Sequence, residues 1–385
     1  MSTYGMGLSG GDRIFIELAR RLGNMYPVSI YLWEEGLKIC QREGLENVSY
    51  IVWSSKFWSK LGFFINYFSR VIIGIINALK MKLNNDPSVV LYSASEFWQD
   101  SLPAFILKLR YPKIKWIAAW YQTAPNPLMG FSEEGKVARY SFKAILYFLV
   151  QVPIKPIIEN FADLVIVNNE NEKKHFSQMS ENNKIFVMLG AIDLEKIKNY
   201  QHTHKVSHKI YDGVFMGRFH PQKGVTELID IWTFVTRFKP GAILAMIGDG
   251  PLMEEVKRGI KENNLEDKVK LFGYLFDGPD KYKVFSESRI VLHPALYDSG
   301  GMAAAEAMAF GIPVVGFDLK AYKSYYPKGM VKSKIGNLKD FAQQVLYLLD
   351  NPNVTHKIGA EGLKMLESNW SWDSRVRSLL NYISP

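Results

Sequence analysis

The sequence predicts an α/β protein of two domains, each built on a parallel, doubly wound sheet. Short runs rich in Val, Ile and Trp alternate with amphipathic stretches of helical period along the chain. At 385 residues the chain is long for one core and suits two domains of about 190 residues. Apolar residues make up 48% and charged ones 22%, enough to fill two such cores.

The first element is a glycine-rich loop, MSTYGMGLSGG, with no strand before it. That strand is expected to be absent, supplied differently or encoded upstream. Ser9, Gly10 and Gly11 precede a helix, DRIFIELARRLGN, with Asp12 in its first turn, Arg20 and Arg21 in its last, and Gly23 as its stop. Strand patterns follow at 28–33, 48–53, 89–94, 115–121 and 163–168. Residues 57–82 read as one long helix, which Lys60, Arg70 and Lys80 interrupt too often for it to cross a bilayer. Leu61, Ile65, Phe68, Ile72, Ile76 and Leu79 repeat at helical spacing and are expected to bury against the sheet. Phe63, Phe64 and Ile73 fall outside that stripe and either pack within the domain or dip into a membrane interface. Glu96 and the loop 122–130 lie at strand ends, where open sheets bind ligands. Glu96 is an exposed loop acid or an acceptor contact. Residues 201–210 form a polar connector, whose His202, His204 and His208 are expected to be solvated rather than metal-bound.

The second half repeats the alternation through GVFMG, AILAMIG, VKLFGYL, RIVLHPA and IPVVGF, and closes on two helical stretches, KDFAQQVLYLLDN and WDSRVRSLLNYI. Its densest stretch is 291–317, VLHPALYDSGGMAAAEAMAFGIPVVGF, in which two strand ends flank a loop and a helix. The helix runs from Met302 to Phe310, and Gly311 and Pro313 end it. Because it starts after Ser299, Gly300 and Gly301, bare amides at its positive end are expected to face an anion, most simply a phosphate. Asp298 and Glu306 border the same crevice. Glu306 sits among alanines, so it faces solvent or needs a partner.

The net charge is +9, and three basic segments free of acids lie in the first half. Lys56, Lys60, Arg70, Lys80 and Lys82 occupy 56–85 without an acid; Lys108, Arg110, Lys113 and Lys115 do the same over 103–132, and Lys136, Arg139, Lys143 and Lys155 over 136–158. Basic stretches interleaved with aromatics suit an anionic lipid surface. No nucleic-acid-binding motif is present, so nucleic acid is not expected as a partner. The lone cysteine, Cys40, excludes an internal disulfide framework and fits a reducing compartment.

Four motifs occur in order: MGRFHPQKGV with Gly217, Arg218 and Lys223; IGDGP at 247–251; LFGYL at 271–275; and the Asp298/Glu306 pair running into EAMAFGIPVV. In that order and spacing they resemble the nucleotide-sugar half of the retaining GT-B glycosyltransferases of family GT4. The resemblance implies two Rossmann-like domains facing across a cleft: an acceptor-binding domain over 1–205, a nucleotide-sugar domain over 206–368, and a C-terminal helix, 369–385, crossing back to the first. It implies a hexosyltransferase that passes sugar from a UDP-, GDP- or ADP-sugar to a lipid-linked or polysaccharide acceptor, peripherally bound at the cytosolic face of the membrane. Arg218 and Lys223 would stabilise the departing diphosphate. Glu306 would accept hydrogen bonds from ribose hydroxyls. Asp298, where the family usually has Glu followed by Gly-Phe-Gly, would meet hydroxyls of the transferred sugar. Gly10, Gly11, Gly217, Gly273, Tyr274, Ser299, Gly300, Gly301 and Met302 would line the donor site. No Asp-x-Asp pair is present, so neither metal nor cofactor is expected. No general base carries over at Tyr121 or Gln122, where many relatives place a histidine nearby. A Rossmann dehydrogenase is disfavoured because MGLSGG lacks the preceding strand and full glycine fingerprint. The non-enzymatic alternative is a degenerate family member that binds sugar nucleotide or a partner without transfer.

Overall fold

The computed structural model describes residues 7–127, 133, 142–206 and 208–383. Residues 128–130 of the loop, Lys136, Arg139 and the Lys143 side chain lie outside the described residues. Packing divides the chain into two units, Met1–Ala124 with Phe142–Gly190 and Trp372–Pro385, and Pro125–Ser141 with Ala191–Ser371.

Among the described residues the first unit carries six strands: β1 (Ser29–Trp33), β2 (Ser49–Trp53), β3 (Val90–Ser93), β4 (Lys115–Trp120), β5 (Leu164–Val167) and β6 (Ile185–Val187). β1 and β2 form a parallel pair, and β3-β4-β5-β6 a separate parallel sheet. A doubly wound order has one more strand between β1 and β3. Among the described residues none lies there, and a helix joins the two pieces. Phe15, Ile16 and Ala19 of the Gly10–Gly23 helix pack with Ile30 and Leu32 of β1 and with Ala94, and Phe15 stacks on Tyr92 of β3 at 6.1 Å. The helix starts on a capping box: the Asp12 amide donates to Ser9 Oγ at 3.1 Å and the Ser9 amide to Asp12 Oδ2 at 3.0 Å. The final helix, Trp372–Ile383, packs with this unit. Arg21 Nε donates to Asp373 Oδ1 at 2.5 Å, and Tyr382 Oη donates to the Asn183 carbonyl at 2.6 Å.

The 57–82 segment departs from expectation. It is two helices, Lys56–Ser59 and Phe63–Lys80, and the apolar stripe expected to be buried faces out. Leu61, Ile65, Phe68, Ile72, Ile76 and Leu79 are each between 43% and 58% exposed. The buried face holds Asn66, Tyr67, Ser69, Arg70, Val71, Gly74 and Ala78. Close packing and one ion pair select that face. A side chain at Gly74 would stand 2.8 Å from Pro103 of the neighbouring Trp98–Arg110 helix. Arg70, fully buried, donates to Glu35 Oε2 at 2.7 Å and to Ser55 Oγ at 2.9 Å, and lies 5.0 Å from the centre of the Trp33 ring.

The second unit is one six-stranded sheet of β7 (Tyr211–Met216), β8 (Leu244–Ile247), β9 (Val269–Gly273), β10 (Ser288–His293), β11 (Val314–Phe317) and β12 (Met330–Ser333). Every pairing is parallel and the order is β12-β11-β10-β7-β8-β9. The order reverses between β7 and β10, so the loops leaving those two strands border the crevice where such sheets take ligands. Residues 191–205, assigned from sequence to the first domain, pack with this unit. Lys196 of the Leu194–Thr203 helix pairs with Asp277 at 2.8 Å.

Candidate active site

The loops after β7 and β10 meet at the reversal point. Lys223 ends a single 3-10 turn, Pro221–Lys223, that His220 caps. Gly224 follows in the left-handed region at φ 64°, where a side chain would come within 1.9 Å of the Pro294 carbonyl oxygen. Glycine therefore lets the two loops touch. The Leu296 and Tyr297 amides both donate to the Gln222 carbonyl, at 2.9 and 3.2 Å.

Lys223 Nζ donates to Asp298 Oδ2 at 2.5 Å. The same oxygen accepts from the Tyr322 hydroxyl at 3.2 Å and from His293 Nε2 at 3.3 Å. Oδ1 accepts the Ser299, Gly300 and Gly301 amides at 2.8, 3.3 and 3.2 Å. Burial pushes the Asp298 carboxyl up, but Lys223 and the His293 donor outweigh it and hold the group well below the usual carboxylate range. Burial likewise lowers His293 against the pull of Asp298, so the imidazole is neutral and its Nε2 carries the donated proton.

This geometry alters two expectations. The amides of Ser299, Gly300 and Gly301, expected to be bare, are satisfied by Asp298. Asp298 itself spends both oxygens on the chain, so the structure gives it the task of holding Lys223 and the loop rather than leaving it open to a sugar hydroxyl. Tyrosines brace the loop from behind. Tyr326 Oη donates to the Gly301 carbonyl at 2.6 Å, and a side chain at Gly300 would stand 2.7 Å from the Tyr325 ring.

Glu306, on the Met302–Met308 helix, has the partner its surroundings require: Lys281 Nζ donates to its Oε2 at 2.5 Å. Lys281 is 4% exposed and also pairs with Asp277 at 2.8 Å, which in turn accepts from Tyr282 Oη at 2.9 Å. Burial lowers the Lys281 ammonium, but Glu306 and Asp277 raise it further, so it stays charged. Of the other expected donor-site residues, Gly217 and Arg218 follow β7 directly, with Arg218 exposed. Gly273 closes β9 at φ 67° with Tyr274 exposed beyond it, and Met302 opens its helix half-buried. His202, His204 and His208 are exposed.

The first unit gathers a polar cluster of its own at the strand ends. Glu96, read as an exposed loop acid or an acceptor contact, is 4% exposed. The Tyr147 hydroxyl shares its one proton between Glu96 Oε1 at 2.7 Å and the Gln122 carbonyl at 2.8 Å, and Gln151 Nε2 donates to that carbonyl at 2.8 Å. Gln122 Nε2 is buried without a hydrogen-bond partner among the described residues. Burial raises the Glu96 carboxyl, with the Tyr147 hydrogen bond opposing. Gly10 and Gly11 are the first two residues of their helix.

Residues 197–365 match the family model described as glycosyl transferases group 1. That match lies within the second unit and covers most of it. The chain is 25% identical over 236 residues to the poly(ribitol-phosphate) alpha-N-acetylglucosaminyltransferase of Staphylococcus aureus, covering 59% of this chain and 45% of that protein. It is 24% identical over 164 residues to the poly(glycerol-phosphate) alpha-glucosyltransferase of Bacillus subtilis, covering 41% of this chain and 23% of that protein. The chain thus spans less than half the length of these relatives. Among solved structures, Anabaena HepE in complex with UDP and glucose superposes with a TM-score of 0.71 at 15% identity, covering 99% of this chain and 97% of that one. Staphylococcus aureus TarM superposes with a TM-score of 0.64 at 18% identity, covering 82% and 58%. The fold is GT-B.

Within the second unit, Lys223, Asp298 and Glu306 were legible in the sequence, but the residues that hold them were not. His293 was legible only as the last residue of a strand pattern, and Tyr322 and Tyr326 only as aromatics in AYKSYY. Lys281 follows Asp277 by four residues, a helical ion-pair spacing that was the available signal for the Glu306 partner.

Proposed function

We propose that the chain is a metal-independent retaining hexosyltransferase that takes its sugar from a nucleotide-diphosphate donor and passes it to a lipid-linked or polysaccharide acceptor at the cytosolic face of a membrane. The observation that carries this reading is the Lys223–Asp298 pair at the reversal point of the group 1 sheet. There an ammonium is held by a buried carboxylate, five residues after the exposed Arg218 in the same loop. As the sugar–phosphate bond breaks, negative charge grows on the leaving diphosphate. Cations fixed in advance stabilise that charge without reorganising, an effect worth about 3–4 kcal/mol per donor. Asp298 fixes the Lys223 rotamer, and His293 and Tyr322 fix Asp298. Glu306, gripped through Oε2 by Lys281, would accept from a ribose hydroxyl through its other oxygen. In the first unit, the Glu96, Tyr147 and Gln122 cluster offers hydrogen bonds suited to a hydroxylated acceptor. The relatives that act on polyol-phosphate polymers, by their names, support an acceptor of that general kind.

The test is a thermal-shift panel of UDP-, GDP- and ADP-sugars on the purified chain, followed by release of free nucleotide with and without acceptor extracts. A shift with one donor and nucleotide release that Lys223→Ala abolishes would support transfer. Binding without release from any donor would favour the degenerate, non-catalytic alternative.

A further inference from the structure

The Phe63–Lys80 helix presents its apolar side to the outside and its polar side to the protein, and only 39% of it is buried. Phe64, Phe68, Ile72, Ile76 and Leu79 lie along one outward face, each at least 43% exposed. Trp58 and Phe57 extend that face at its N-terminal end, 40% and 68% exposed. The face is continuous with the rest of the unit. Phe68 packs edge-on against Trp98 at 6.3 Å, and Trp98 Nε1 donates to the Val150 carbonyl at 2.7 Å in the Phe142–Phe161 helix, where Leu149 and Val152 are again more than half exposed. An apolar surface of this extent in water normally marks a partner.

We propose that this face is a monotopic docking surface, seated in the acyl boundary of a bilayer with anionic headgroups. The docking rests on the membrane-facing part of the proposed function for its purpose, not for its geometry. Charge selects the occupant. Lys56 and Lys60 stand exposed at one end of the face and Lys80 and Lys82 at the other, with no acidic residue anywhere in 56–85. Cations at both ends of a helix about 27 Å long suit a helix lying in the headgroup plane with its lysines reaching phosphates. A second copy of the chain docked isologously would bring the same lysines against each other. The one cation at mid-helix, Arg70, is turned inward onto Glu35 and Ser55, so the face that meets lipid is uncharged along its length. Those inward contacts, with Gly74 seated against Pro103, also hold the helix to its unit. It therefore lies on the membrane rather than spanning it. Insertion of apolar side chains does the holding, and the lysines add a screened attraction. Arg70, counted with the basic surface in the sequence, takes no part.

The experiment is co-sedimentation of the full chain with phosphatidylcholine vesicles, pure or containing phosphatidylglycerol, at low and high salt. Wild type is expected to bind both, more tightly to the anionic vesicles, and to keep part of its binding in high salt. Phe64→Gln/Ile72→Gln/Leu79→Gln, all at exposed positions, is expected to lower affinity for both vesicles by about 100-fold. Lys60→Gln/Lys80→Gln is expected to lower it about tenfold on anionic vesicles alone and to remove the salt dependence. Wild type that sediments with neither vesicle overturns the proposal. So does a triple variant that binds as wild type does, or one that turns a wild-type dimer into a monomer while vesicle binding is unchanged, which makes the face a self-interface. Donor-induced thermal shifts, run on the same samples in solution, are expected to be unchanged in both variants. A wild type that binds vesicles but responds to no sugar nucleotide would end the transferase reading and leave the docking standing.

Discussion

Asp298 and Glu96 are both buried carboxylates set just beyond strand ends, one in each unit, and they titrate in opposite directions. Burial raises both. At Asp298 the Lys223 ammonium and the His293 donor reverse the effect, whereas Glu96 has the Tyr147 hydroxyl and backbone amides against it but no cation, and Asp100 nearby adds to the rise. The difference lies in the company each carboxyl keeps, not in its depth. A carboxylate held ionised next to a lysine can organise charge for a departing anion. One kept reluctant to ionise beside neutral hydroxyl and amide groups suits the recognition of sugar or polyol hydroxyls.

The strongest way to break the contrast is to give Asp298 the surroundings of Glu96. Lys223→Ala does so, and it is expected to lower kcat/KM by about 100-fold or more through lost leaving-group stabilisation. It also leaves a buried carboxylate unpaired, at a cost of about 3–5 kcal/mol in stability. Steady-state kinetics and chemical denaturation read the two effects separately. Activity above about a tenth of wild type would remove Lys223 from the leaving-group site. Adding Arg218→Ala is expected to cost less than it does alone, because both cations act on one diphosphate.

A smaller disturbance moves to the second ion pair. Lys281→Met strips Glu306 and Asp277 of their shared cation and is expected to destabilise the domain by about 3 kcal/mol. If Glu306 meets the ribose, the variant's donor KM rises about tenfold with kcat little changed, since ribose contacts alter little as the glycosidic bond breaks. Lys281→Arg is expected to recover part of that KM. A fall in kcat at unchanged KM would instead place Glu306 at the reacting bond.

How far the sequence carried the structure differs between the units for physical reasons. In the second unit the central strands are continuous apolar runs and the loops are spelled by glycine and proline, so β7 to β11 and the positions of Lys223, Asp298 and Glu306 were all legible. The edge strands β6 and β12 were not, because three or four residues such as IFV or MVKS carry too little pattern. Nor were the partners, since His293, Tyr322 and Lys281 reach the site through tertiary packing rather than local spacing. In the first unit the apolar period of the Phe63–Lys80 helix was read correctly and its orientation inverted. Periodicity names a face but not what it meets. Here Arg70, Gly74 and Ala78 on the opposite side fit the protein more closely than the bulky stripe does.

Removing a neutral partner from Asp298 is a finer probe. Tyr322→Phe deletes one of the three donors to Oδ2 while leaving Lys223 and His293 in place, and is expected to cost about 1 kcal/mol of stability. Denaturant midpoints measure it. A cost as large as that of Lys223→Ala would mean that the hydroxyl, not the ammonium, keeps Asp298 ionised.

The smallest effect sharpens the comparison most, because its sign is opposite in the two units. Asp298 is depressed below its ordinary value of 3.8, so its stabilising contribution is complete above that value and is lost as pH falls through the folded value. The deficit of Asp298→Asn is therefore expected to be full at neutral pH and to shrink only in strong acid. Glu96 is raised above its ordinary value of 4.5. Below that value the group is protonated in both folded and unfolded chains and costs nothing. As pH rises past it, the unfolded chain ionises first, so wild type loses stability until the folded group also ionises. Glu96→Gln removes this loss while keeping an oxygen to accept from Tyr147. Relative to wild type, its Tm is expected to climb as pH rises from below 4.5 toward neutrality. Melting curves of wild type and both variants across that range decide the matter. A Glu96→Gln curve parallel to wild type throughout would mean that Glu96 ionises as an ordinary surface acid, and the contrast between the two carboxylates would go with it.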